Sequence, residues 1–198
     1  MFCGAQISLY PMCDRFVEVI LKGLEKVREI KQVRFETDDL STCVIGPPYW
    51  VFQVAKNLFQ GAAQTGVHVV MHALFSRGCP GEPDDPICTP CSPESPLATP
   101  ELLNLRSLPL SNIPVAAQFS LYPLGSGTYM ETIYRQIQEA KQEGTYSKGK
   151  HFVSRLDGDL ERVFGTVYNA FQRASSEVGH VVVHLTVSAN SPTAKKST

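Results

Sequence analysis

Apolar and polar positions along the chain repeat with two different periods. Phe16, Val19, Ile20, Gly23, Leu24 and Val27 fall at i, i+3, i+4, i+7, i+8 and i+11, the stripe of one helical face, with Asp14 placed to cap its start. A second stripe, Val51, Phe52, Ala55, Leu58, Phe59 and Ala62, follows Pro47 and Pro48, which break what precedes them and suit a helix entry. Gln6 to Tyr10, Val33 to Phe35, Ser41 to Ile45 and Val67 to Phe75 are short runs rich in β-branched and aromatic residues, and they predict strands. The resulting order is strand, helix, strand, strand, helix, strand.

The same order recurs. Ala5-Gln-Ile-Ser-Leu-Tyr-Pro11 returns as Ala117-Gln-Phe-Ser-Leu-Tyr-Pro123, identical at six of seven positions with an offset of 112, and so extended a self-match identifies a duplication. The offset also aligns Val51 to Pro80 with Val163 to Pro192, pairing Phe52 with Phe164, Asn57 with Asn169, His68 with His180 and His72 with His184. Copy two predicts strand Ala116 to Tyr122, helix Tyr129 to Lys141, strands near Thr145 to Lys148 and His151 to Leu156, helix Leu160 to Ser175 and strand His180 to Ser188. The fold class is therefore α+β: two tandem ferredoxin-like βαββαβ repeats, each an antiparallel sheet with its helices on one face. The chain divides into repeat 1 at 1–80, a connector at 81–114, repeat 2 at 115–193 and a tail at 194–198. In this topology the first and third strands lie side by side, so Leu9 neighbours Thr42, and Leu121 neighbours Ser154. The uncovered sheet face is expected to be hidden by the other copy or by a second subunit, in a packed tandem or a homodimer.

Composition narrows the function classes. With 43% hydrophobic and 19% charged residues the chain can build cores in both copies. A net charge of -1 with mixed signs provides no basic stripe for nucleic acid. No apolar run approaches the roughly 20 residues a membrane span needs, and no membrane insertion is expected. A cytoplasmic protein with reduced thiols follows as the expectation, since the six cysteines do not recur at matching positions of the two copies.

The connector carries prolines at 83, 86, 90, 93, 96, 100, 109 and 114, a spacing that forbids regular elements. It reads as a surface linker with at most one helical turn at Glu101 to Leu105. Cys88 and Cys91 within it have CxxC spacing but no second ligand pair, so they read as incidental thiols. His68 and His72 share strand parity, yet four residues of strand hold them about 13 Å apart, too far to chelate one ion. They are expected on a half-buried sheet face or at the contact between copies. Cys79 gives way to Ser191 in copy two while Ser76 is matched by Ser188, and Asp157-Gly-Asp159, a turn or helix cap, replaces Ile45-Gly-Pro47. No nucleophile, base and orienting acid come together, so an enzyme is not expected, and neither a metal nor a cofactor is.

Ser8-Leu-Tyr-Pro11, Phe75-Ser-Arg-Gly-Cys-Pro-Gly81, Gln118-Phe-Ser-Leu-Tyr-Pro123, Leu156-Asp-Gly-Asp159 and Val187-Ser-Ala-Asn-Ser-Pro192 together resemble the YkoF family across both copies. The resemblance implies dimeric tandem repeats that bind thiamin and its hydroxymethylpyrimidine precursor for uptake or salvage. It also implies one pyrimidine pocket per repeat, near Leu9 and Thr42 in the first and near Leu121 and Ser154 in the second, with Tyr10 or Tyr122 stacking on or closing the pocket. A Thr or Ser hydroxyl and a strand backbone group suit the donors and acceptors of an aminopyrimidine. Asp39 in copy one stands where copy two has His151, so the pockets are expected to differ, a cationic thiazolium being favoured near Asp39. A regulatory amino-acid-binding module of the ACT type, which shares the fold, or an enzyme of unrecognised kind are the alternatives.

Overall fold

A computed structural model describes residues 3–79 and 101–194. They form β1 (Cys3–Pro11), α1 (Phe16–Glu25), β2 (Arg34–Thr37), β3 (Thr42–Ile45), α2 (Pro48–Ala63) and β4 (Val69–Arg77), then β5 (Pro114–Leu124), α3 (Tyr129–Gln142), β6 (Tyr146–Lys150), β7 (Val153–Asp159), α4 (Leu160–Glu177) and β8 (His180–Ala189). The two halves have the strand orders β2-β3-β1-β4 and β8-β5-β7-β6. Each is the split βαβ arrangement, and the chain is a tandem of ferredoxin-like repeats.

The repeats do not cover each other's sheets, contrary to the packed tandem the sequence suggests. Instead β4 pairs with β8 along their whole length, from Val69 opposite Ala189 to Arg77 opposite Val181, and one eight-stranded antiparallel sheet results. Alternation along the strands shows why. In β8, Val181, Val183, Leu185, Val187 and Ala189 are buried while His180, Val182, His184, Thr186 and Ser188 are only half-buried. β4 alternates in the same way, so joining the two edges satisfies both backbones and puts both apolar rows on one side. All four helices cover that side, and α2 meets α4 across the seam. One continuous core lies beneath them, with Phe52 stacked on Phe75 at 3.9 Å between ring centroids and edge-on to Tyr168 at 5.3 Å. The other face of the sheet is open.

Several local expectations shift. Asp14 does not cap α1: the N-cap position is Arg15, and no side-chain bond is made there. The β6–β7 hairpin of copy two turns through His151, whose φ of 49° lies in the left-handed region, so β7 begins at Val153 rather than at His151. Asp159 does cap α4, accepting from the Glu161 amide at 2.9 Å, while Asp157 is held by the Arg155 guanidinium. Glu101 to Leu105 form no helical turn. That stretch docks on α4, where Asn169 accepts from the Leu103 amide at 2.7 Å and donates to its carbonyl at 2.9 Å. The part of the connector holding Cys88 and Cys91 lies outside the described residues.

The helix layers of the two repeats differ. On α1 the buried stripe is Val19 and Gly23, continued by Val27, and on α3 Thr132, Gln136 and Ala140 hold the same spacing. A Cβ on Gly23 would stand 2.6 Å from the Leu58 carbonyl oxygen, and one on Gly61 2.7 Å from that of Lys22. Helices α1 and α2 thus touch backbone to backbone, whereas a glutamine stands in the matching place on α3.

Candidate functional site

The corner at the ends of β1 and β3 is built from the helix-facing row. Ile7 stands opposite Thr42, and Leu9 follows two residues along on the same side. In copy two Phe119 stands opposite Ser154, with Leu121 in the equivalent place. The neighbourhood expected from the topology is present in both repeats, displaced diagonally by one pleat. Thr42 and Thr37 bring their hydroxyls to 3.0 Å across β2 and β3. Leu9 and Thr42 are half-buried, and Phe35, on the helix-facing side of β2, is 43% exposed. The first corner is therefore open. In the second, Leu121 and Ser154 are buried, and Tyr146 is part of the packing, with the Lys141 ammonium 5.2 Å from its ring centroid.

Tyr10 and Tyr122 do not join these corners. They occupy the alternate positions of β1 and β5 and emerge, 46% and 47% exposed, on the open face. The sheet separates each tyrosine from the Leu and hydroxyl residue of its own repeat, because successive side chains of a strand point to opposite faces. Asp39 is exposed at the tip of the β2–β3 hairpin. There the neighbouring Asp38 carboxylate accepts from the amides of Leu40 and Ser41 at 2.8 and 2.7 Å. These bonds to the charged form hold the Asp38 carboxyl below its ordinary range.

One polar residue that sequence reasoning passed over lies under α3. Gln136 is 1% exposed, and neither its amide nitrogen nor its amide oxygen has a hydrogen-bond partner. Orphaned buried amides are rare and cost about 1–3 kcal/mol for each lost partner. α3 packs on β5, β6 and α4, so this amide belongs to the layer between helix and sheet on the side where Leu121 and Ser154 stand. The available signal was a glutamine at the i+4 position of a helix's inner stripe.

A cavity of about 200 Å³ lies on the other side of the layer, where the repeats meet. Tyr49, Phe52, Gln53 and Lys56 of α2 line it together with Glu161, Phe164, Gly165 and Tyr168 of α4, and each of the first four matches one of the second at the offset of 112. The copies have diverged in a complementary way, so that Lys56 reaches both carboxylate oxygens of Glu161 at 2.8 and 2.9 Å, with side chains 11% and 14% exposed. Burial and the adjacent Tyr49 push the Tyr168 hydroxyl up to about 12. The pocket's two charged groups thus serve each other, which makes it a lock between repeats.

On the open face, His72 and His184 meet across the seam rather than lying apart as His68 and His72 do within one strand. His68 bonds to Ser188, and His180 to Ser76. Among the described residues no group of three or more His, Cys, Asp or Glu is placed to hold a metal ion, and no helix is long and apolar enough to cross a membrane. Among the described residues Cys3, Cys13, Cys43 and Cys79 form no disulfide.

Comparison with known proteins adds two findings. A family model described as the YKOF-related family matches residues 2–82 and 114–194, one match for each repeat. A protein of Bacillus subtilis (strain 168), provisionally named HMP/thiamine-binding protein YkoF, is 35% identical over 192 residues, covering 97% of this chain and 92% of its own length.

Proposed function

Because this chain belongs to the YKOF-related family, we propose that it binds thiamin or its hydroxymethylpyrimidine moiety, one molecule in each repeat, and releases the ligand chemically unchanged in uptake or salvage. The observation that carries this reading is the similarity to the B. subtilis protein across both repeats, together with the hydroxyl-bearing corner present in each. Leu9 and Thr42 form one site and Leu121 and Ser154 the other. The hydroxyl and strand backbone groups meet the pyrimidine edge, and the leucine packs against the ring.

The sites are unequal by construction. The first is open and has Asp39 at its hairpin, which favours the cationic thiazolium of thiamin. The second is closed over Leu121 and Ser154 and contains the unpartnered amide of Gln136, whose donor and acceptor complement the amino group and ring nitrogen of an aminopyrimidine. Titration calorimetry is expected to give two ligands per chain with distinct affinities. Thr42→Val weakens one of them about tenfold, the loss of one hydrogen bond of roughly 1.4 kcal/mol. Absence of heat from both thiamin and hydroxymethylpyrimidine sinks the reading.

A second copy, in this reading, covers the open face. Tyr10, Leu74, Tyr122 and Leu124 stand exposed there, on alternate positions of β1, β4 and β5, and an apolar sheet surface of this kind is normally covered. Leu74→Lys is expected to convert the dimer to monomer in light scattering, whereas a wild-type chain that is monomeric at high concentration contradicts it.

A further inference from the structure

The hairpins at the two rims of the sheet have diverged in charge. Residues 36–41 of the β2–β3 hairpin hold Glu36, Asp38 and Asp39 and no cation, whereas the matching residues 148–153 of the β6–β7 hairpin hold Lys148, Lys150 and His151 and no carboxylate. At the offset of 112, Glu36 answers to Lys148 and Asp38 to Lys150, so the sign is reversed at two positions. These four side chains are exposed, and among the described residues none of them enters an ion pair. The nearest carboxylate to the lysines in sequence, Asp157, is already paired with Arg155.

The two charge groups cannot meet within one chain. β2 and β6 are the outermost of the eight strands, seven intervals of about 4.8 Å or roughly 34 Å apart, several times the range over which solvated charges act. Both hairpins are tied to the open face in the same way. Ser8 of β1 donates to the Leu40 carbonyl at 3.1 Å, and Ser120 of β5 to the Phe152 carbonyl at 3.2 Å. The side chains at these matched tips, Leu40 and Phe152, are 75% and 92% exposed, more than any other large apolar side chain among the described residues. Strand register sends Glu36 to the open face through Cys43 and Gln6, and Lys148 through Arg155 and Gln118. Between the rims, the open-face positions of β1, β4, β8 and β5 carry no Asp, Glu, Lys or Arg. Fixed charge on this face therefore sits at its two ends, with opposite signs.

We propose that the acidic β2–β3 hairpin docks on the basic β6–β7 hairpin of a second copy of this chain, with Leu40 and Phe152 packed into the contact. The inference rests on the reading that a second copy covers the open face, and it assigns the orientation. A two-fold axis between the facing sheets and along their strands lays the β2 rim of each copy over the β6 rim of the other, so the same contact forms twice. An axis across the strands stacks acidic on acidic and basic on basic, which like-charge repulsion disfavours. The rims thus set orientation and speed encounter, while the apolar surface between them supplies most of the affinity.

The test uses two variants of the full chain. Glu36→Lys with Asp39→Lys makes both hairpins basic, and Lys148→Glu with Lys150→Glu makes both acidic; Asp38 is kept because its carboxylate holds the turn. In analytical ultracentrifugation each variant alone is expected to dimerise at least about tenfold more weakly than the wild type, and an equimolar mixture to form a one-to-one heterodimer at close to wild-type strength. Raising the salt narrows the difference between variant and wild type. Circular dichroism confirms folding, and if one variant fails to fold the other decides by its own dimerisation. A variant that dimerises alone as tightly as the wild type, a mixture that does not pair, or particles larger than a dimer overturn the hairpin contact and leave the covered face standing. A wild-type chain that is monomeric overturns both, and the pyrimidine sites are judged separately by calorimetry.

Discussion

Replacing Gln136 with methionine is expected to make the protein more stable and a poorer binder at once. Methionine has the same unbranched reach and carries no amide, so the packing beneath α3 is kept while two orphaned polar atoms disappear. The folded state then gains about 1–3 kcal/mol for each of the two atoms, and a chain of this size turns each kcal/mol into roughly 2–4 °C of melting temperature. If the amide is held in readiness for a pyrimidine, the same change weakens the second-repeat site by about tenfold or more, since two hydrogen bonds to the ligand are lost. The opposite signs are what matter. A buried amide with only a structural role would leave binding unchanged. A drop in melting temperature would show that Gln136 has partners in the unliganded fold. Differential scanning calorimetry and ligand titration on one preparation give both readings.

The lock between repeats predicts the largest loss of stability. Lys56→Met strands the Glu161 carboxylate in a site where its side chain is 14% exposed, and removing one member of a buried pair costs about 3–5 kcal/mol. Pairing it with Glu161→Met removes both charges and returns the stability to within about 1 kcal/mol of the original, the remainder reflecting the loss of an acidic residue from the first turn of α4. Urea unfolding of the two variants checks the non-additivity. A Lys56→Met chain that loses less than about 1 kcal/mol would mean that water already screens the pair.

These expectations also show where the sequence could be read and where it could not. The α1 and α2 stripes, the strand runs and the copied Ala5–Pro11 segment specify each repeat, because periodicity reports which face a single element buries. The same alternation underlies β4 and β8, but it does not say which edge each strand offers to a neighbour. The fusion of the two sheets, and with it the meeting of His72 and His184, follows from pairing between elements distant in sequence. Tyr10 and Tyr122 were legible in principle: they sit one residue from Leu9 and Leu121, and the strand period alone sends them to the other face. Gln136 was visible only to a reading that places polar residues within a helix's inner stripe. Lys56 and Glu161 gave no signal, since neither copy contains both members at matching positions.

Joining β4 to β8 also has a colloidal consequence. Two separate four-stranded sheets would present four free edges, each a template for pairing with another chain. The fusion uses up the two long apolar ones, β4 and β8. What remains at the rims are β2, four residues long with Arg34 and Glu36, and β6, five residues long with Lys148, Lys150 and a register shift between Tyr146 and Lys148. Short, charged and irregular edges discourage strand addition. The sheet therefore stops growing at eight strands, and the duplication protects the chain against edge-to-edge aggregation to which a single repeat, with β4 exposed, would be open.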